Sequence, residues 1–212
     1  MNKNTLVVLA HGFCRGAANM QFWRDSLAED YPNIICVDMP ATHRSFECCL
    51  DVLSRTVAAA EPERYDELYL AGHSMGGLLL REYLQRNRPA NARRLVCVGT
   101  PHYGSKLADI SLLMPGAGLI WPPLKALKRS ARRQLTTPDI PDLKIGLIVG
   151  TNNAHWPGKL FLSDSADGLV ESFSAHAPDG DSVFYTDVPH DFMQYDAEIA
   201  WLIKKFFQDG EF

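Results

Sequence analysis

The apolar residues of this chain fall into six short runs that predict strands. These runs are Leu6–Ala10, Ile34–Asp38, Leu68–Gly72, Leu95–Gly99, Ile145–Gly150 and Val183–Val188. The first five runs are apolar throughout and do not alternate with polar residues, which is typical of strands covered on both faces. The pattern therefore predicts a sheet in the interior of the protein.

Helical patterns lie between the predicted strands. Apolar residues recur at three-to-four spacing in Met20–Asp30, Phe46–Ala60, Met75–Asn87 and Ala197–Gln208. Because strand and helix alternate along most of the chain, a parallel sheet with right-handed crossovers is the expected architecture. We predict an α/β fold of three layers, in which a mostly parallel sheet of about six strands is flanked by helices.

One stretch breaks this alternation. About 37 residues, from Lys106 to Asp142, separate the fourth and fifth predicted strands, which is more than a simple crossover needs. Its apolar residues are Leu112, Leu113, Met114, Leu119, Ile120, Trp121 and Leu124, and they are interrupted by Pro115, Pro122 and Pro123. A basic group follows, made of Lys125, Lys128, Arg129, Arg132 and Arg133.

Three interpretations of this stretch stay open. It can form surface helices that pack on the sheet, or a cap whose side chains provide an apolar acyl pocket. The pocket candidates are Leu113, Met114, Leu119 and Trp121. The third interpretation is a weak contact with a membrane surface through residues 106–133, because a basic and apolar segment can bind anionic lipid.

Length and charge exclude several classes of protein. The 212 residues suit one domain, so we expect residues 1–212 to fold as a unit. The net charge of −4 gives no reason to expect a nucleic acid partner, and no window approaches 18 apolar residues, as a membrane span requires. The run Leu6–Ala10 is too short for the core of a signal peptide, so cytoplasmic residence is the expectation.

The cysteine and histidine patterns predict neither a disulfide framework nor a metal site. The cysteines are five, an odd number without ligand spacing: Cys14, Cys36, Cys48, Cys49 and Cys97. Cys36 and Cys97 are expected to be buried thiols, and Cys14 lies beside a candidate active-site loop. The H-x-H and H-E-x-x-H patterns of metal-dependent hydrolysis are absent, so we expect no metal and no cofactor.

The strongest chemical signal is the G-x-S-x-G motif from Gly72 to Gly76. It directly follows a predicted strand and precedes a predicted helix, which is the context that a nucleophile elbow requires. The turn is so tight that a side chain at either glycine would collide with neighbouring backbone. A serine in this turn lies at a helix N-terminus, where free amides favour negative charge. The motif predicts Ser74 as a nucleophile.

A serine nucleophile needs a base, which in this arrangement follows the last strand. His190 has that position, directly after Val188-Pro189. His155 and His176 precede the last strand and are not expected to act as the base. His102 follows the end of another strand, so we expect it to line the substrate pocket.

The acid that orients the base should lie between the fifth strand and His190. The candidates are Asp164, Asp167 and Glu171. Asp167 is favoured because it lies in a tight polar turn that the apolar pair Leu169-Val170 can anchor to the core. Asp164 stays open as the second candidate. Asp187 and Asp191 are too near His190 in sequence to approach its ring easily.

An oxyanion hole needs two backbone N–H groups. One is expected from Met75, which follows the nucleophile, and the other from Phe13 in the loop after the first strand. Gly12 lets that loop turn, and His11 is expected to brace it beside the substrate. The loop lacks the G-x-x-x-x-G-K-[ST] pattern of a phosphate-binding loop.

The order of these motifs resembles a known family. His-Gly-Phe, Gly-His-Ser-Met-Gly-Gly, Gly-Thr-Pro-His-Tyr-Gly-Ser, Asp-Gly-Leu-Val and Pro-His look like the bacterial lipase-like serine esterases of the α/β-hydrolase fold. The similarity is greatest to small members known as predicted hydrolases or acetyltransferases. It implies Ser74, Asp167 and His190 as a catalytic triad and favours Asp167 in particular.

The resemblance implies a carboxylic-ester hydrolase that forms an acyl-enzyme on Ser74 and acts on a small or lipid-like ester. Two other functions stay open. An acyltransferase would pass the same acyl group to an alcohol or amine instead of water. A binding protein on the same fold would carry out no chemistry, and the presence of serine, acid and histidine in the expected order argues against it.

Overall fold

Parallel strands form the centre of the protein. The computed structural model describes residues 4–135, 137–153, 158–163 and 165–212. The strands of this part are Thr5–Ala10 (β1), Asn33–Val37 (β2), Glu67–His73 (β3), Ala92–Val98 (β4), Lys144–Gly150 (β5) and Ser182–Thr186 (β6). They pair in the order β2-β1-β3-β4-β5-β6, and each of these pairings is parallel.

Helices of very different length connect the strands. The described α-helices are Gln21–Leu27 (α1), Phe46–Ala59 (α2), Met75–Asn87 (α3), Lys106–Ser111 (α4), Ala117–Ile120 (α5), Leu124–Leu127 (α6), Gly158–Phe161 (α7), Ser172–Ala175 (α8) and Ala197–Asp209 (α9). Short 3₁₀ helices cover Ala17–Met20, Pro62–Arg64, Arg129–Ala131 and His190–Tyr195. None of the described helices has the length and apolar character that crossing a membrane requires.

The two faces of the sheet have separate apolar cores. On one face, α2, α3 and the segment after β4 pack against the strands, with Leu53 and Leu79 buried between them. On the other face, α1 and α9 bury Trp23 and Phe206. The α/β fold of three layers and six parallel strands that the sequence predicts is confirmed.

The structure differs from the prediction at the edge of the sheet and at the first helix. The run at β2 was expected to be covered on both faces, but β2 is an edge strand and its residues Ile34 and Cys36 are half-buried. Apolar composition does not reveal the order of strands in a sheet. The predicted helix Met20–Asp30 is shorter, because a 3₁₀ turn precedes α1 and α1 ends at Leu27.

The order of the strands creates a crevice between β1 and β3. After β1 the chain moves to β2 on one side, whereas after β3 it moves to β4 on the other side. At such a switch point the loops that leave the carboxyl ends of neighbouring strands diverge and leave room for a ligand. The loop Gly12–Gly16 and Ser74 both lie at this point. This loop is called the oxyanion loop below, after the role predicted for Phe13.

Candidate active site

Ser74 lies in a strained turn between β3 and α3. Its backbone has φ 54° and ψ −123°, a conformation that residues with a side chain rarely adopt. The Ser74 amide donates a hydrogen bond of 2.8 Å to the Val98 carbonyl oxygen at the end of β4. This bond fixes the turn to the neighbouring strand.

Two glycines make this turn possible. A Cβ atom at Gly72 would lie 2.5 Å from the amide nitrogen of Gly77. A Cβ atom at Gly76 would lie 2.2 Å from the carbonyl oxygen of Ala10. Both distances are too short for any side chain, so the helix can approach the strands this closely only with glycine at both positions.

His190 and Asp167 form a buried hydrogen-bonded pair. His190 Nδ1 lies 2.7 Å from Asp167 Oδ2, and the His190 amide donates to the Asp167 carbonyl oxygen at 2.9 Å. The other carboxylate oxygen, Oδ1, accepts from the amides of Leu169 at 3.0 Å and Val170 at 2.7 Å. Because the carboxylate accepts, Nδ1 carries the proton, and Nε2 is the nitrogen of the neutral ring that can accept a proton.

The surroundings of His190 determine its affinity for a proton. Burial disfavours the charged ring, but the charge of Asp167 and its hydrogen bond outweigh this effect and raise the pKa of His190 above its usual value of 6.5. The imidazolium that forms when His190 accepts a proton is therefore stabilised by the carboxylate.

The other candidate acids and bases have different positions. Glu171 is buried at the start of α8, and no hydrogen bond joins it to His190 among the described residues. Asp164 and His155 lie outside the described residues. His176 is exposed at the end of α8, away from Asp167.

The two candidate oxyanion donors lie on neighbouring elements. Met75 is the first residue of α3, so its N–H group has no acceptor within the helix. Phe13 belongs to the oxyanion loop, and it lines the same pocket as Ser74. An ideal Cβ atom at Gly12 would lie 3.0 Å from Ser74 Cβ, so the oxyanion loop passes directly beside the serine.

His11 braces the oxyanion loop from beneath. Its Nε2 accepts a hydrogen bond from the Met39 amide at 3.0 Å, so its Nδ1 donates to the Gly12 carbonyl oxygen at 3.0 Å. Burial lowers the pKa of His11, which keeps the ring in the neutral form that this arrangement needs. The ring is fully buried and outside the pocket, so it supports the loop and does not touch a substrate there.

His73, which sequence reasoning left without a role, contacts the candidate base. Its Nε2 lies 3.1 Å from the His190 carbonyl oxygen and must donate, because a carbonyl can only accept. Burial, and next the charge of His190, hold the pKa of His73 well below its usual value. His73 therefore remains neutral beside His190 and fixes its backbone.

The pocket above Ser74 has a volume of about 400 Å³ and a largely apolar lining. Ser74 and His190 both line it, together with Gly12 and Phe13. The segment after β4 contributes a large apolar group: Leu107, Ala108, Ile110, Met114, Leu124 and Leu127. Phe161, Leu169 and Val170 complete the apolar wall, and Arg15 and Asp191 are the charged residues of the lining.

Only part of the predicted substrate contacts lie in this pocket. Gly12 and Met114 line it, but the side chains of Leu113 and Leu119 are 81% and 82% exposed and face away from it. Trp121 is half-buried and packs against the apolar core instead of lining the pocket, since it ends the short helix Ala117–Ile120. His102 is buried behind the pocket, where its amide donates to carbonyl oxygens of Thr100 and Ser174.

The pocket residues that the sequence did not single out follow a simple spacing. Leu107 and Ile110, like Leu124 and Leu127, are three residues apart, so each pair lies on one face of a short helix. That spacing is a signal that sequence analysis can use. Among the described residues, no cluster of histidine, cysteine, aspartate or glutamate has an arrangement that could hold a metal ion.

The sequence of nearly the whole chain matches a known family. Residues 7–205 match the profile described as "Alpha/beta hydrolase family". The chain belongs to the alpha/beta hydrolase family. A comparison with curated proteins gave no significant sequence match.

Solved structures of a lipase and of esterases are similar in fold. The metagenomic carboxyl esterase MGS0156 superposes with a TM-score of 0.71 at 20% identity, over 91% of this chain and 66% of the other. The mature lipase BlEst2 of Bacillus licheniformis superposes with a TM-score of 0.69 at 17% identity, over 88% of this chain and 83% of the lipase. The esterase RhEst1 of Rhodococcus sp. ECU1013 superposes with a TM-score of 0.61 at 16% identity, over 97% of this chain and 91% of the esterase. At these identities the similarity establishes the fold alone.

Proposed function

We propose that this alpha/beta hydrolase is a carboxylic-ester hydrolase that works through an acyl-enzyme on Ser74. The observation that carries the proposal is the buried pair of Asp167 and His190, joined at 2.7 Å, in one pocket with a serine on a strained elbow. This combination supplies a nucleophile, a base of fixed tautomer and a place for the substrate. The esterases and lipases among the structural neighbours agree with this activity.

The proposed reaction begins when Ser74 Oγ attacks the ester carbonyl carbon while His190 Nε2 takes the hydroxyl proton. The N–H groups of Phe13 and Met75 hold the resulting oxyanion, and Asp167 stabilises the imidazolium. The tetrahedral intermediate then expels the alcohol, which takes the proton from His190. A water molecule, deprotonated by the same nitrogen, attacks the acyl-enzyme and releases the carboxylic acid and free Ser74.

We assign the acyl pocket to the segment from Lys106 to Asp142, which acts as a cap on a domain that spans residues 1–212. Its side chains Leu107, Ile110, Leu124 and Leu127 face the cavity. A cavity of about 400 Å³ suits an acyl group of medium length better than a bulky polar one. The substrate class that we propose is therefore an ester with an apolar acyl chain.

The outer side of this cap has the properties of a surface that contacts anionic lipid. Leu113 and Leu119 are more than four-fifths exposed, and Met114 and Ile120 are about half exposed. Residues 106–133 hold six basic side chains and one acidic one, a charge of +5 in a chain whose net charge is −4. We propose that this outer side rests weakly on an anionic membrane, because apolar and basic groups combine in interfacial segments.

Labelling with a fluorophosphonate tests the proposed nucleophile. We expect the wild-type protein to react and the Ser74→Ala variant to remain unlabelled, with a loss of kcat of about 10⁴- to 10⁶-fold on p-nitrophenyl esters. Ser130→Ala, at an exposed serine outside the pocket, is the matched control and should label normally. Labelling of a folded Ser74→Ala protein would contradict the proposal, and transfer of the acyl group to added alcohols in preference to water would indicate a transferase.

A further inference from the structure

An ion pair joins the oxyanion loop to the residue after the candidate base. Arg15 Nη2 donates a hydrogen bond of 2.7 Å to Asp191 Oδ1, although the two residues are 176 positions apart in sequence. Arg15 follows Phe13 in the oxyanion loop, and Asp191 directly follows His190. Both side chains line the pocket, and they are 31% and 35% exposed. The pair therefore bridges the two halves of the site.

A second polar contact connects the same two segments. Asn19 Nδ2 donates to the Tyr195 hydroxyl oxygen at 2.6 Å, while Asn19 Oδ1 accepts from the Gly16 amide at 2.9 Å. Tyr195 is the last residue of the 3₁₀ helix that begins at His190. The oxyanion loop is consequently attached to both ends of the helix that carries the base.

Stability of the fold does not account for the Arg15–Asp191 pair. An ion pair that is one-third exposed contributes little to folding, because water screens the charges and two long side chains lose freedom. The pair lies in the pocket wall together with Phe13 and His190, and it joins the loops that carry them, so it affects the geometry of the proposed reaction more directly.

The charges of the pair are opposite to those that the proposed reaction creates next to them. In the tetrahedral intermediate, His190 becomes positive, and the substrate oxygen beside the oxyanion loop becomes negative. Asp191, the negative partner, is attached to His190, whereas Arg15, the positive partner, belongs to the oxyanion loop. A fixed ion pair of this orientation favours the charge separation and needs no rearrangement during the reaction.

We propose that Arg15 and Asp191 are positioning residues, which hold the oxyanion loop against the base and present a fixed dipole whose charges are opposite to those that develop in the transition state. This inference rests on the proposed function, since it assigns the pair to the same site. Within the described part of the chain, the titratable or charged groups that face His190 are Asp167, Asp191, Arg15 and the neutral ring of His73.

Single substitutions that keep shape but remove charge test this proposal. Burial and Asp167 have the largest effects on the pKa of His190; beyond them, Asp191 raises it and Arg15 lowers it. Asp191→Asn should therefore move the acid limb of the pH profile of kcat/KM to lower pH, and Arg15→Gln should move it to higher pH. Each should lower kcat by about three- to tenfold and leave KM nearly unchanged.

Two controls distinguish a positioning role of the Arg15–Asp191 pair from a purely structural role: a conservative variant and a remote ion pair. Arg15→Lys keeps the positive charge and should retain the wild-type acid limb. The ion pair of Lys204 and Asp30 has similar exposure, 29% and 32%, and lies far from the pocket on α9 and after α1. Asp30→Asn should change neither kcat nor the pH profile.

Titration of the His190 ring by NMR makes the outcome independent of turnover. If the wild-type protein hydrolyses no ester, the proposed function fails, but opposite shifts of the His190 pKa in Asp191→Asn and Arg15→Gln would still support the placement of the dipole. Shifts in the same direction, or no shift together with less than about a twofold change in kcat, would overturn the proposal.

Discussion

Three buried histidines near Ser74 show how the surroundings of a residue determine its chemistry. Burial lowers the pKa of His11 and of His73, and each ring forms hydrogen bonds that suit the neutral state. His190 is also buried, but the carboxylate of Asp167 raises its pKa. Of these three rings, His190 is therefore the one with a carboxylate partner that stabilises its protonated form. The sequence predicts His190 as the base from its position after the last strand, whereas the protonation of all three rings depends on contacts that the sequence does not reveal.

Replacement of Asp167 tests the contact that distinguishes His190. Asp167→Asn should lower kcat by about 10³- to 10⁴-fold, because an amide no longer fixes the Nδ1–H tautomer. Kinetics with a p-nitrophenyl ester measure this loss. Glu171→Gln, at another buried acid of the same segment, is the control and should cost less than about tenfold. A larger loss for Asp164→Asn than for Asp167→Asn would assign the acid to Asp164 instead.

At the scale of elements, the long regular segments were predictable and the cap was not. The helix predicted at Met75–Asn87 has those bounds in the structure, and α2 and β5 differ from prediction by one residue at one end. Continuous periodicity specifies such elements locally. In the cap, α5 and α6 have four residues each, and Gly116 has φ 81°. The directions of its side chains depend on these turns, which hydrophobicity does not encode.

The Arg15–Asp191 pair could not be predicted from the sequence, for a different reason. The motifs around Ser74 and Asp167 are local, so their residue types and spacing predict their chemistry. A contact between residues 176 positions apart depends on how the loops after β1 and β6 meet in three dimensions. Because Asp191 adjoins His190 in sequence, the sequence excludes it only as the acid that contacts the His190 ring, and does not predict a contact with Arg15.

The short helices of the cap lead to a prediction about acyl chain length. The kcat/KM for p-nitrophenyl esters should rise from acetate toward medium chains, by about fourfold for each buried methylene, and then level off when the cavity is full. Leu124→Ala, inside the pocket, should flatten this rise, while Leu119→Ala, which is 82% exposed, should leave it unchanged. A wild-type profile that falls steadily from acetate would contradict an apolar acyl site.

Across the whole molecule, charge is distributed unevenly. Residues 106–133 carry +5, so the remainder of the chain carries −9. The exposed apolar side chains Leu113 and Leu119 lie in the positive part, whereas Trp201, which is 57% exposed, lies on α9. An anionic surface would therefore attract the cap and repel the rest of the molecule, which would turn the cap toward it.

Vesicle binding tests this orientation at the level of the whole protein. In a Ser74→Ala background, cosedimentation should be stronger with phosphatidylcholine vesicles that contain phosphatidylglycerol than with phosphatidylcholine alone. Lys125→Glu with Lys128→Glu should weaken binding at least about tenfold, and salt should weaken it as well. Trp201→Ser is the apolar control and should bind normally. Equal binding to both vesicles, or dimers that dissociate when Leu113 and Leu119 become serine, would contradict a lipid surface.

The left-handed backbone of Ser74 has a consequence for the evolution of this protein. A residue held at φ 54° and ψ −123° destabilises the native state by about 1–3 kcal/mol, and glycine at the same position would relieve much of it. Selection for stability alone would therefore favour replacement of the serine. Ser74 is retained between Gly72 and Gly76, although glycine itself destabilises helices and strands. This combination indicates a compromise between stability and reactivity. A thermostabilised descendant that loses Ser74 would gain native-state stability and lose the activity proposed for this serine.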